Sequence, residues 1–221
     1  MERLFSPDGG FMHFLSKLSD ICIISILWLM CCIPVVTIGA STTAAYYAMV
    51  KVVKKERGTL LREFWSSFKR NLKDSIIINA IYLLIVGILV FNIYSMYQQI
   101  GNPQNSMAFQ MLFIYVALLF VMLALCIYTY PVLSRFEMKK TALVKFSVMI
   151  MFRHFFITLL LLAVFMLSFI AILVFPLVAI FVPGVCLYLY SFFMEKILRK
   201  YMSEEMLEAW DGEAEENQGI A

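Results

Sequence analysis

A chain of 221 residues, 62% hydrophobic and only 15% charged, with a mean hydropathy of +0.86, is too apolar for a soluble globular domain, where about 45–50% apolar is usual. Its length fits a single domain, and its apolar runs are unbroken instead of alternating, which excludes a transmembrane barrel. The net charge of +3 is small, so the positions of the cations carry more information than their sum.

The first apolar run, residues 21–36 (ICIISILWLMCCIPVV), becomes a span once Leu18 and its neighbours are added. A cleaved signal peptide is the competing reading, but the segment ahead of the run is too long for a charged leader and holds Glu2, Asp8 and Asp20. Residues 34–47 (PVVTIGASTTAAYY) carry no charge and admit two topologies. As a cytoplasmic loop they leave five crossings, with Arg3 and Lys17 outside. If the chain turns at 37–40 and returns through 41–53 as a short, broken crossing, there are six, with all eighteen cations on one side. The six-crossing reading is adopted here. A helix over 41–53 is only about 20 Å long and is tolerable in a membrane only when packed against protein, and Gly39, Ala40, Ser41, Ala44, Ala45 and Ala48 are small enough for close packing. The turn predicts a positive φ at Gly39 and a helix cap from Ser41.

Residues 59–73 (TLLREFWSSFKRNLK) set Leu60, Leu61, Phe64, Trp65, Phe68 and Leu72 at helical spacing, with Arg62, Lys69, Arg70 and Lys73 on the other face. This predicts a separate amphipathic helix lying in the membrane interface, with Phe64, Trp65 and Phe68 at headgroup depth and Lys69 and Arg70 toward water. Its apolar face is too heavy for a nucleic-acid reader. Residues 75–97 and 107–130 are charge-free spans joined by a polar Gly101, Asn102, Pro103 turn. Residues 155–194 then run forty positions without a charge, which as one helix would be about 60 Å long against a hydrocarbon core of about 30 Å. The run must reverse, near Val174 to Pro176. Within its second half, Pro183 and Gly184 read as a kink or as a break that frees carbonyls for an ion. Residues 1–202 therefore form one helical domain, and residues 203–221, rich in acids, a disordered tail. The fold class is all-α: five full spans, a short broken crossing and an interfacial helix.

The cations orient it. Eight lie in 51–73, five in 135–153 and three in 196–200, while none falls in 98–106 or around Pro176. The positive-inside rule puts the cationic segments and, on the six-crossing reading, both termini in the cytoplasm.

Chemistry is sparse. His13 and His154 lack a second ligand at metal spacing, and the cysteines at 22, 31, 32, 126 and 186 show no Cys-x-x-Cys pattern. No metal, cofactor or catalytic residue is expected, and an enzyme is not. The candidate polar interior is Asp20, Thr37, Gly39, Ser41, Thr42, Thr43, Tyr46, Tyr47 and Asn79, with Asn92 on the same span as Asn79. It is either polar glue between helices or a surface for a solute. Asp20 has its own alternatives: an ion pair with Lys17 on one helix face, or a place in that interior.

The stretch FLSKLSDICIISILWLMCCIPVVTIGASTTAAYYAMVKVVKKERG, with its Pro34 to Thr43 core, Tyr46 and Tyr47, and then Phe64, Ser67, Phe68 and Asn71, resembles the YesL-like family of bacterial integral membrane proteins. That resemblance implies a small protein of the bacterial cytoplasmic membrane, without an assigned activity, often encoded beside carbohydrate-uptake components. Two functions are therefore expected in competition. One is a transport-linked component, a permease or an accessory with carbohydrate importer subunits as partners. The other is a structural or regulatory membrane partner that transports nothing.

Overall fold

The computed structural model describes residues 10–55, 58–100, 107–208 and 210. Every regular element among them is helical: α1 (Gly10–Cys32), a 3-10 turn (Val35–Thr37), α2 (Ile38–Ala48) running on into a π turn (Met49–Lys54), α3 (Leu60–Gln98), α4 (Ala108–Arg135), α5 (Lys140–Arg153), α6 (Phe155–Val174), a second 3-10 turn (Pro176–Ile180) and α7 (Val182–Arg199).

α2 is the centre of the molecule. Ala40, Ala44, Ala45 and Ala48 are fully buried, because α2 is packed by α1, α3, α4 and α7, and a helix enclosed on all sides needs small residues where backbones approach. It runs antiparallel to α3: Lys51 Nζ meets Glu63 Oε2 at 3.2 Å near one end, and Gly39 lies against Asn79 and Ser75 at the other. α1 folds back along it, touching both the 3-10 turn before α2 and the π turn after it. The expected short return helix is therefore present. Its partner is the cation-bearing first half of α3, with overlap into the apolar half only at 75–79.

α3 corrects the expectation of a separate interfacial helix. It is one helix of 39 residues, about 58 Å long. The reason is a single inward stripe, Leu60, Phe64, Ser67, Asn71, Ser75, Ile78, Asn79 and Tyr82, that continues at three- and four-residue steps across Asp74, with no proline to interrupt it. Phe64 is 0% exposed in the core and Trp65 is 44% exposed, so the two aromatics do not share a surface. Phe68 packs partly against the core, and Lys69 and Arg70 are exposed.

Beyond Asn79, α3 pairs with α4 as the expected hairpin, tied by Tyr82 Oη to Thr129 Oγ1 at 2.9 Å. α4 contains Pro131, which cannot donate to the Ile127 carbonyl. Tyr190 of α7 donates to that carbonyl instead.

α6 ends where expected: Phe175 leaves the helix ahead of Pro176, as the residue before a proline tends to. Pro183, however, sits in the first turn of α7, so Pro183 and Gly184 start a helix and do not kink one. Gly184 is required by contact. Its N–H donates to Ser25 Oγ at 2.8 Å, and a Cβ there would lie 2.4 Å from both Ser25 Oγ and the Ile21 carbonyl. Gly184→Ala should force α1 and α7 apart and cost about 1–3 kcal/mol, read as a lowered thermal midpoint in detergent. An unchanged midpoint would show that the crossing is looser than this.

Among the described residues, four helices are long and apolar enough to cross a membrane: α1 over Leu15–Cys32, α3, α4 and α6. α7, expected as a fifth full span, falls outside that group because Glu195, Lys196 and Arg199 occupy its last turns. Of the acidic tail, residues 204–208 are helical and Trp210 packs on the bundle; residues 211–221 lie outside the described residues.

Candidate functional site

The polar side chains singled out in the sequence fall into two clusters. The first closes the turn between α1 and α2. Asn79 Nδ2 donates to the carbonyls of Val35 and Val36 at 3.0 and 3.1 Å, and Tyr130 Oη donates to Asn79 Oδ1 at 2.9 Å. Thr37 Oγ1 donates to the carbonyls of Cys31 and Pro34 at 2.6 and 2.7 Å in a three-centre bond. Ser41 donates to the Trp28 carbonyl at 3.1 Å, so it bridges helices and does not cap α2 as expected. Thr42 accepts from Trp28 Nε1 at 3.0 Å and, like Thr43, donates one turn back along α2. Among the described residues, Asn92 bonds to the Ile88 carbonyl on its own helix.

Gly39 is helical. Among the described residues the positive φ belongs to Gly58, at 76°. Asp20, half-buried on α1, shares no hydrogen bond with this cluster among the described residues. Asn79→Ala would remove a donor from two carbonyls, of which that of Val35 keeps the Ile38 N–H, and the acceptor of the Tyr130 hydroxyl, and should cost about 1–3 kcal/mol. Tyr130→Phe, which removes one donor and leaves the two carbonyls held, should cost less. The ranking is checked by thermal unfolding of the two variants side by side, and equal losses would mean that the carbonyls do not depend on Asn79.

The second cluster lies at the end of the bundle where the cations gather. Tyr46 and Tyr47 belong to it, not to the turn. Arg135, at the last position of α4, donates through Nη2 to Glu195 Oε2 of α7 at 3.0 Å, and Tyr46 Oη donates to the same oxygen at 3.3 Å. Arg199 Nε stands 3.5 Å from the other carboxylate oxygen. The Arg135 guanidinium carbon lies 3.5 Å from the centre of the Trp210 ring, which also receives Lys55 at 4.6 Å and meets Tyr47 edge-on at 5.7 Å. Arg70 faces the Tyr47 ring at 5.4 Å.

Lys54 reaches the Ser191 carbonyl at 3.2 Å. Burial pushes its pKa below the ordinary lysine range; Glu195 opposes that push, while Arg135 and Arg199 add to it. For Lys51 burial also disfavours the charge, but Tyr47 and Glu63 outweigh it and the pKa rises. Next to this cluster a groove of ≈ 370 Å³ is lined by Tyr47, Lys51, Gly58, Thr59, Arg62, Glu63 and Ser66.

Arg135, Glu195 and Trp210 are the site residues that sequence reasoning missed. Arg135 counts there only as one cation of a topology signal. The available signal was Glu195, the sole acid between Glu137 and Glu204 and adjacent to a charge-free run of forty residues. A charge at such a boundary tends to have a partner. Which partner depends on tertiary packing.

No curated protein and no solved structure matches the chain. A family model described as "Protein of unknown function, DUF624" matches residues 21–93, about a third of the chain. The match covers the groove and, apart from Tyr130, the turn cluster, and stops before Arg135 and Glu195. It falls on the stretch that carries the YesL-like resemblance, so the chain is similar, over α1 to α3, to a family whose function is unknown.

Proposed function

We propose that this is a multi-pass protein of the bacterial cytoplasmic membrane that works as an accessory to a transport system and is not itself the conduit. The observation that carries the reading is the turn cluster. Thr37, Ser41, Thr42, Thr43, Asn79, Trp28 and Tyr130 all spend their hydrogen bonds inside the protein, at 2.6–3.1 Å. Polar groups committed in this way hold a turn together and have little left for a passing solute.

Residence in the bilayer is supported by the outward apolar side chains of α3, α4 and α6, such as Phe91 and Phe113, each 71% exposed, and Leu167, 70% exposed. Such a surface has no place in water. Orientation is supported by the packing order. α1 folds back on α2, α2 on α3, and α3 on α4, so the start of α1, the π turn, the start of α3 and Arg135 gather at one end with Glu195 and Arg199. By the positive-inside rule that end, with both termini, is cytoplasmic. The link to carbohydrate importers comes from the family resemblance.

Purification from native membranes in mild detergent, without crosslinking, tests the role. Importer subunits should accompany the protein in a fixed ratio. A protein that emerges alone and moves a sugar unaided in proteoliposomes would overturn the accessory reading.

A further inference from the structure

Arg135 and Glu195 are the charged residues buried in the described part of the molecule, and the Arg135 side chain is only 2% exposed. A guanidinium carries five N–H donors. Here Nη2 alone has an acceptor, Glu195 Oε2, while Nε and Nη1 are buried with none. Buried donors left without acceptors are costly, and more so on a charged group. Lys51, Lys55, Arg70 and Arg135 all lie about the Tyr47 and Trp210 side chains.

What covers the guanidinium is Trp210, stacked on its face from a segment that follows α7. An indole satisfies the face of a guanidinium by cation–π attraction and does nothing for donors in its plane. Trp210 comes shortly after a helical stretch at 204–208.

The geometry points to an anion-binding site anchored on Arg135 and closed by Trp210. When the Trp210 ring moves aside, a phosphate group supplies the missing acceptors, and Lys55, which faces the same ring, adds positive charge at the rim. Phosphate fits because guanidinium donors match its oxygens and because several cations meet there. The group can come from free phosphate or from an anionic lipid headgroup. The inference does not rest on the accessory role in transport.

The test uses the full-length protein in nanodiscs of phosphatidylcholine, titrated with inorganic phosphate and followed by the shift in thermal midpoint. Sodium chloride at equal ionic strength is the control. Trp210→Ala should bind phosphate about tenfold more tightly than the parent, which is what a cover closed about nine-tenths of the time takes from an affinity. Lys55→Gln on the Trp210→Ala background should give back a good part of that gain, and being at the rim it does not depend on refolding a buried charge. Nanodiscs containing phosphatidylglycerol distinguish the sources. If the lipid already occupies the site, added phosphate no longer shifts the midpoint; if phosphate still shifts it, the free ion is the ligand. Affinities within twofold across all three proteins, or an equal shift with chloride, would overturn the site.

Discussion

Arg135→Gln should cost the bundle about 3–5 kcal/mol, the penalty typical of removing one partner from a buried ion pair. The loss does not come mainly from the 3.0 Å bond. It comes from leaving the Glu195 carboxylate buried without its main partner, beside the Tyr46 hydroxyl at 3.3 Å and Arg199 Nε at 3.5 Å. The cost should therefore be recovered when both charges go. Arg135→Met with Glu195→Leu fills similar volume without a charge and should lie within about 1–2 kcal/mol of the parent, since apolar replacement of a buried pair is often neutral. Denaturant titration in detergent micelles, with the two single variants and the double in one series, measures this. If the losses of the single variants simply add in the double, the two residues act independently and the pair is not a unit.

Gly39→Val should be as damaging, by a different mechanism. A Cβ at position 39 would stand 2.7 Å from Tyr130 Cε1 and 3.2 Å from Asn79 Cβ, with the Ser75 carbonyl at 3.4 Å. Tyr130 cannot swing away cheaply, because its hydroxyl is bonded to Asn79 and Asn79 holds the Val35 and Val36 carbonyls. Relief at one atom thus disturbs the whole turn. Gly39→Ala already meets the clash and should cost about 1–3 kcal/mol; the branched valine exceeds it. Membrane-inserted yield and thermal midpoint should fall in the order parent, Gly39→Ala, Gly39→Val. A valine variant with the parent's yield and midpoint would mean that α2, α3 and α4 do not meet at this glycine.

The importance of Gly39 was legible in the sequence, but its cause was not. A lone glycine between hydroxyl residues suggests a reversal that needs positive φ, whereas the reversal is made earlier, at 33–37, and Gly39 serves close approach of three helices. The same limit applies elsewhere. The reversal at Val174 to Pro176 could be read because length and proline are local facts. The stripe of small residues in α2 could be read because small residues have one main use between membrane helices. The continuity of α3 could not, since its amphipathic half looks self-sufficient until Ser67, Asn71, Ser75 and Asn79 are seen to face α2 and α4. Arg135 and Glu195 stand 60 residues apart, and no periodicity links positions on separate helices. Trp210 sits within an acidic stretch whose composition argues for disorder, and that this one residue packs on the bundle depends on the surface it meets.

The proposed disposition in the bilayer has the cation-bearing end and both termini in the cytoplasm and the α3 to α4 connection on the far side. Topology reporters fused in turn at Ser6, Gly58, Gln104 and Asn217, expressed in a bacterial membrane, measure it directly. Ser6, Gly58 and Asn217 should report the cytoplasmic face and Gln104 the opposite one. A reporter at Ser6 that agrees with Gln104 would contradict this disposition, return α1 to a single inward crossing, and leave residues 34–47 as a loop at the cytoplasmic surface.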